Sequence, residues 1–206
     1  MQYPQTSADV RERIHSGVVI PASPLALDSR GHFDSRRQMA LMRYYLAAGA
    51  GGVAVAVHTT QFAIRKPEIG LLGPVLETCA SAIDEMSSKL PDPPVKIAGI
   101  VGRTHQAVRE AGLAVSLGYH AGLLSLSAFR DATIEKMIAH AEEIAGIIPL
   151  FGFYLQPSVG GRILPHEFWR RFVHIPNVVA VKIAPFNRYQ TLDVVSAVAE
   201  EGRERE

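Results

Sequence analysis

Lys182 lies in the run Asn177-Val178-Val179-Ala180-Val181-Lys182-Ile183, whose β-branched residues read as a strand buried on both faces. An unpaired ammonium is costly there, and losing the proton relieves the cost. A neutral lysine is a nucleophilic amine, the group that forms a Schiff base with a carbonyl substrate. The same residues also fit a strand that ends at Val181 and leaves Lys182 pointing into solvent. Tyr154 closes the preceding apolar run, Pro149 to Leu155, at a similar height. A phenol beside an amine can shuttle the proton for carbinolamine formation and collapse.

The elements that would position these two residues form a regular series. Val18 to Ser23 reads as a strand, followed by a turn and a helix from about Ser35 to Ala48 with Asp34 as N-cap. Strands follow at Gly52 to His58, Val95 to Val101, Ala121 to Ser127, Pro149 to Leu155 and Val178 to Ile183. Their helices are Pro67 to Lys89, Thr104 to Leu117, Asp131 to Gly146 capped by Asp131, Pro165 to Val173 and about Thr191 to Glu200. Six βα units with short loops predict a parallel α/β fold, either an open doubly wound sheet or a (β/α)8 barrel. A dinucleotide-binding sheet should carry Gly-x-Gly-x-x-Gly after its first strand, but Pro21 to Phe33 holds one glycine. That disfavours a nicotinamide-dependent oxidoreductase. The Gly49-Ala50-Gly51-Gly52 cluster follows a helix and precedes a strand, the order of a helix C-cap and turn.

In a barrel the chemistry sits at the C-terminal ends of the strands. The polar residues there are Ser23, His58, Thr59, Thr60, Arg103, Ser125, Ser127, Tyr154, Gln156 and Lys182. No serine-nucleophile elbow, no closely spaced histidine pair for a metal and no carboxylate pair occurs at these ends. His58 fits a base or ligand and equally a hydrogen-bonding neighbour, and Arg130 fits a carboxylate-binding group and equally a solvated surface arginine.

Composition narrows the function class. The 206 residues are 48% hydrophobic and 20% charged, with a formal net charge of +1, which predicts a globular chain with no nucleic-acid surface. A single cysteine, Cys79, excludes an internal disulfide and a multi-cysteine metal site and suits a reducing cytoplasm. The first seventeen residues have no apolar core and are not a signal peptide. The uncharged window Tyr44 to Ile64 is broken by glycines and by His58-Thr59-Thr60-Gln61, so no membrane span is expected.

Four segments taken together carry a resemblance: Ser23-Pro24, His58-Thr59-Thr60, Phe153-Tyr154-Leu155-Gln156-Pro157-Ser158-Val159-Gly160-Gly161 and Val179-Ala180-Val181-Lys182. From about Ser16 to Ala199 the chain resembles the dihydrodipicolinate synthase and N-acetylneuraminate lyase family, class I aldolases on a (β/α)8 barrel. The resemblance implies that Lys182 forms an imine with a 2-oxo acid such as pyruvate, without a cofactor or metal. It implies that Tyr154 relays the proton. Thr59 and Thr60 would bind the keto-acid carboxylate, with Thr60 also supporting Tyr154, although β-branched residues end strands for packing reasons too. A complete protein of this kind is expected to be a homo-oligomer.

The chain departs from the family in several places. His58 and the pair Gln61-Phe62 stand where glycines and a glutamate flank the threonines, Ser127-Ala128-Phe129-Arg130 replaces a tyrosine-bearing segment, Val159 takes an arginine position, and Ile183 follows the lysine where glutamate is usual. These argue against the lysine-biosynthetic synthase and for a different substrate. Eight-unit barrels run to about 250 residues, so the expectation is a single domain over residues 1–206 lacking its last two βα units. The alternative reading is a non-catalytic barrel remnant without lyase activity.

Overall fold

The computed structural model describes residues 3–205 and shows five parallel strands and seven α-helices. Strands β1 (Gly52–Val55), β2 (Val95–Ile100), β3 (Ala121–Leu124), β4 (Leu150–Leu155) and β5 (Val178–Ala184) follow one another in the sheet in sequence order. The expected first strand, Val18 to Ser23, forms one isolated bridge, Ala22 to Ala54. It still runs beside β1, through Ser23 N–H to the Ala54 carbonyl and Ala54 N–H to the Pro21 carbonyl. Pro21 has no N–H to give, so a full ladder cannot form.

The chain divides into two compact units. The first comprises Thr6–Gly99 and Leu113–Ala121. Helix α1 (Ala8–His15) was not foreseen in the polar N-terminal stretch; Ser7 caps it by accepting from Val10 N–H, and Val10 is its buried residue. Helix α2 (Ser35–Ala47) begins at Asp34, whose carboxylate accepts from Arg37 N–H as expected of an N-cap. Its buried Gln38, Met42 and Leu46 fall at four-residue spacing on one stripe. That stripe helps α2 pack on α3 (Leu72–Ser87), which buries Val75, Leu76, Cys79 and Ile83. Strands β1 and β2 pair with Gly52 opposite Val95 and Val55 opposite Ala98. At Gly99 an added Cβ would lie 2.3 Å from the Ala56 carbonyl oxygen, so only glycine lets the chain after β1 close over β2.

The second unit comprises the N-terminal residues up to Gln5, Ile100–Gly112 and the chain from Gly122 onward. Strands β3, β4 and β5 pair in parallel there. Helix α5 (Ile134–Ala145) is capped by Thr133, which accepts from Lys136 N–H, so the cap is two residues beyond the expected Asp131. Helix α6 (His166–Val173) buries Phe168, Trp169, Phe172 and Val173. Helix α7 (Arg188–Glu200) packs on α6, begins three residues before the expected Thr191 and is capped by Asn187. Helix α4 spans Thr104–Ser116.

Candidate functional site

Lys182 is exposed near the C-terminal end of β5, with Ile183 exposed beside it. Unlike β4, which is buried along its whole length, β5 is buried only at Val178. Among the described residues no strand pairs with its outer edge. The expectation of a strand buried on both faces is therefore corrected: β5 is an edge strand, and that leaves Lys182 open. The amine lies 5.0 Å from the centroid of the Phe153 ring and has no ion-pair partner among the described residues. Partial desolvation pushes its pKa below the ordinary lysine value.

Tyr154 occupies the opposite face of the sheet. The register sets Phe153 beside Lys182 and Tyr154 beside Ile183, and successive side chains on a strand point to opposite sides. Gly152, on Tyr154's side of β4, approaches Phe172 of α6, confirming which face meets the helix. The Tyr154 ring packs 5.0 Å from Trp169 and is fully buried. Its hydroxyl donates to the Leu164 carbonyl and accepts from Leu164 N–H, both at 3.2 Å. Burial raises its pKa, opposed by the Leu164 N–H and reinforced by the charge of Asp193. The expected proton relay at Lys182 is thus corrected: a one-residue offset in register turns Tyr154 toward α6, where it fastens the β4–α6 connection.

Thr59 and Thr60 follow β1 in a short 3-10 turn, His58–Thr60. Thr59 and His58 are exposed, and Thr60 is fully buried. The Thr60 hydroxyl donates to the Ser23 carbonyl at 2.6 Å and its N–H to the Val57 carbonyl. Neither donor is left for a carboxylate, so the expectation of substrate binding by the Thr60 hydroxyl and N–H is corrected. The group that ties Ser23-Pro24 in place is Gln38, fully buried, whose amide donates to Ser23 Oγ at 2.8 Å and accepts from Ala26 N–H at 2.9 Å. His58 meets Phe62 edge to face with ring centroids 5.6 Å apart, and Arg130 is exposed in the turn after β3.

One residue missed from sequence, Arg162, lies beside Phe153. Ser125, Ser127, Phe153, Leu155, Gly161 and Arg162 line a cavity of about 10 Å3 at the ends of β3 and β4. Arg162 was overlooked because it lies three residues past the position where the family resemblance directed attention. The signal was Gly160-Gly161 just before it, which lets the chain turn back on the strand. Backbone strain also concentrates at strand ends: Ala56, Gln61 and Phe186 have φ of 60°, 78° and 54° and follow β1 or β5. Among the described residues no group of three or more His, Cys, Asp or Glu is placed to hold a metal.

Comparison with known proteins matches this architecture. No profile of a known family matches the chain. It is 27% identical over 179 residues to a probable 5-dehydro-4-deoxyglucarate dehydratase of Delftia acidovorans, covering 86% of this chain and 55% of that protein. Among solved structures, dihydrodipicolinate synthase from Acinetobacter baumannii complexed with pyruvate aligns with TM-score 0.76 and 19% identity, over 90% of this chain and 60% of the other. N-acetylneuraminate lyase from Mycoplasma synoviae gives 0.72 and 17% over the same shares. The chain has the α/β barrel fold of these enzymes in incomplete form, and the resemblance read from its sequence is matched. It spans just over half the length of the curated relative. Among the described residues no helix is long and apolar enough to cross a membrane.

Proposed function

We propose that Lys182 is the imine-forming nucleophile of a class I aldolase-type lyase or synthase acting on a 2-oxo acid such as pyruvate. The carrying observation is the unpaired, partly desolvated amine on β5, poised over Phe153. Its neutral form attacks the carbonyl carbon to give a carbinolamine, which loses water to leave the imine. Similarity to a dehydratase and to a synthase crystallised with pyruvate supports this chemistry. Thr59 is exposed in the turn after β1 and keeps its hydroxyl for a ligand, whereas both Thr60 donors are engaged within the fold. The single cysteine, Cys79, free and buried, suits a reducing cytoplasm, and the reading extends to a homo-oligomer.

The test is borohydride trapping. Pyruvate and hydride should add one reduced adduct, mapped by peptide mass to Lys182 and abolished in Lys182→Ala. Trapping should rise with pH to a half-point below the value of about 10.4 for a free lysine. A folded sample that gives no adduct with any 2-oxo acid favours the second reading, a non-catalytic barrel remnant. The observation behind that reading is that no strand pairs with the outer edge of β5 among the described residues, where the lysine is exposed.

A further inference from the structure

Strand β5 and helix α7 share an apolar face that the described chain leaves uncovered. Helix α7 buries Val194 and Ala197 on one side, yet Tyr189, Leu192 and Val195, which follow one another at three-residue spacing on another side, are exposed. A helix apolar on two sides is suited to packing on both. Beside it a groove of about 310 Å3 runs between Val179, Val181 and Ile183 of β5 and Val195 and Val198 of α7. The outer edge of β5 has no strand partner among the described residues, and such an edge presents N–H and C=O groups for pairing. Phe186, between the two elements, is 85% exposed at a φ of 54°. The left-handed region is costly for a bulky residue, and here the cost holds an apolar ring out in solvent.

The area and the charges of this face suit a second copy of the same chain. Phe186 and Tyr189, 85% and 65% exposed, offer about 300 Å2 per chain, on the scale of roughly 150–250 Å2 for a fully buried ring. Two copies cover twice that with the aromatics alone, and Ile183, Leu192, Val195 and the groove walls carry the total to about the 1,000 Å2 that a specific interface needs. The two ends of the face differ in sign. Arg188 begins α7, held over the Tyr189 ring with 5.1 Å to the centroid. Glu204 lies past the other end of α7 and lines the groove, its place set by Arg203, which donates to the Val173, Ile175 and Val178 carbonyls. Neither Arg188 nor Glu204 forms an ion pair among the described residues. A two-fold axis near Val195 turns one α7 antiparallel to the other and sets the Arg188 end of each copy against the Glu204 end of the other. Head-to-head packing would bring like charges together.

We infer that the β5–α7 face is the interface of a symmetric dimer of this chain, with the two α7 helices antiparallel and Arg188 of each copy paired with Glu204 of the other. The inference rests on none of the residues of the imine reading, so either can fail without the other. Sedimentation velocity of the full chain from about 1 to 100 μM tests it. Wild type should sediment as a dimer at the upper end of that range. Val195→Glu places two like charges together at the axis and should weaken dimerisation at least about 100-fold. Arg188→Glu and Glu204→Arg should each weaken it about tenfold, and the double variant, which restores the pairing in reverse, should recover to within about threefold of wild type. Both charge reversals fall on exposed side chains and spare the monomer fold, so they carry the test if Val195→Glu does not fold. Wild type that stays monomeric at the highest concentration overturns the inference and leaves the face to a different protein. Mass that keeps growing beyond the dimer overturns the two-fold closure. A dimer untouched by Val195→Glu, or a double reversal that fails to rescue the singles, overturns this interface.

Discussion

Tyr154→Phe separates the two roles open to this residue. The variant keeps the ring and its 5.0 Å packing on Trp169 and deletes the hydroxyl that bridges Leu164 N–H and C=O. Leu164 is buried, at 2% exposure, so water has poor access to the two stranded groups. Leaving a buried donor or acceptor without a partner costs about 1–3 kcal/mol. In a chain of this size that corresponds to a fall in melting temperature of roughly 2 to 12 °C. In urea the midpoint should drop with an unchanged slope, since the folded surface is the same. Borohydride trapping at Lys182 should proceed at nearly the wild-type rate, because the hydroxyl faces α6 and not the amine. A positioned proton-transfer group would instead give a rate loss of roughly 10² to 10⁴. A loss of that size with an unmoved urea midpoint would refute the assignment of Tyr154 to the helix-facing side.

Two further outcomes follow from the buried polar groups. Thr60→Val removes the donor to the Ser23 carbonyl and should cost about 1–3 kcal/mol in urea unfolding; a stable variant with a raised half-saturating pyruvate concentration would instead restore Thr60 to the substrate. His140 lies against Phe129 with its Nδ1 at 2.9 Å from Thr104 Oγ1, and burial lowers its pKa from 6.5 to about 4. Between those values the unfolded chain binds a proton that the folded chain does not, so stability is fully present above pH 6.5 and declines as pH falls toward 4. The decline attributable to this residue is up to about 3 kcal/mol, read as the difference in pH dependence between wild type and His140→Asn, and parallel curves would refute it.

The alternation of strands and helices was legible because each βα unit is local: apolar runs of strand length, an Asp34 cap and turn glycines act within a few residues of themselves. The strand before β1 was half legible, since β-branched residues announced it and the proline that cuts its ladder is visible in Pro21. The face of a strand was not legible. Tyr154 and Lys182 come from adjacent strands as expected, but their relation depends on a register in which Tyr154 meets Ile183 and Phe153 meets Lys182. A shift of one residue reverses a side chain, and the irregularity between Leu150 and Phe151 resets the register of β4 against β5 after their first pair, Leu150 with Val178. Sequence spacing cannot resolve that. The assignment of Thr60 failed for a related reason: its hydroxyl is turned to Ser23, a residue thirty-seven positions away.

These misreadings share a physical cause that also locates the groups most suited to a ligand. A polar side chain buried at a strand end is stable only when its hydrogen bonds are made, and Tyr154 and Thr60 are buried and satisfied by backbone. Satisfied groups hold the scaffold. Lys182 and Arg162 differ, because the amine has no ion-pair partner and two of three guanidinium nitrogens donate to no protein group among the described residues. Both side chains remain partly open to solvent, so neither pays a full desolvation penalty while it waits for a ligand. The Lys182 amine and the Arg162 guanidinium edge are thus polar groups near Phe153 that the fold leaves unengaged.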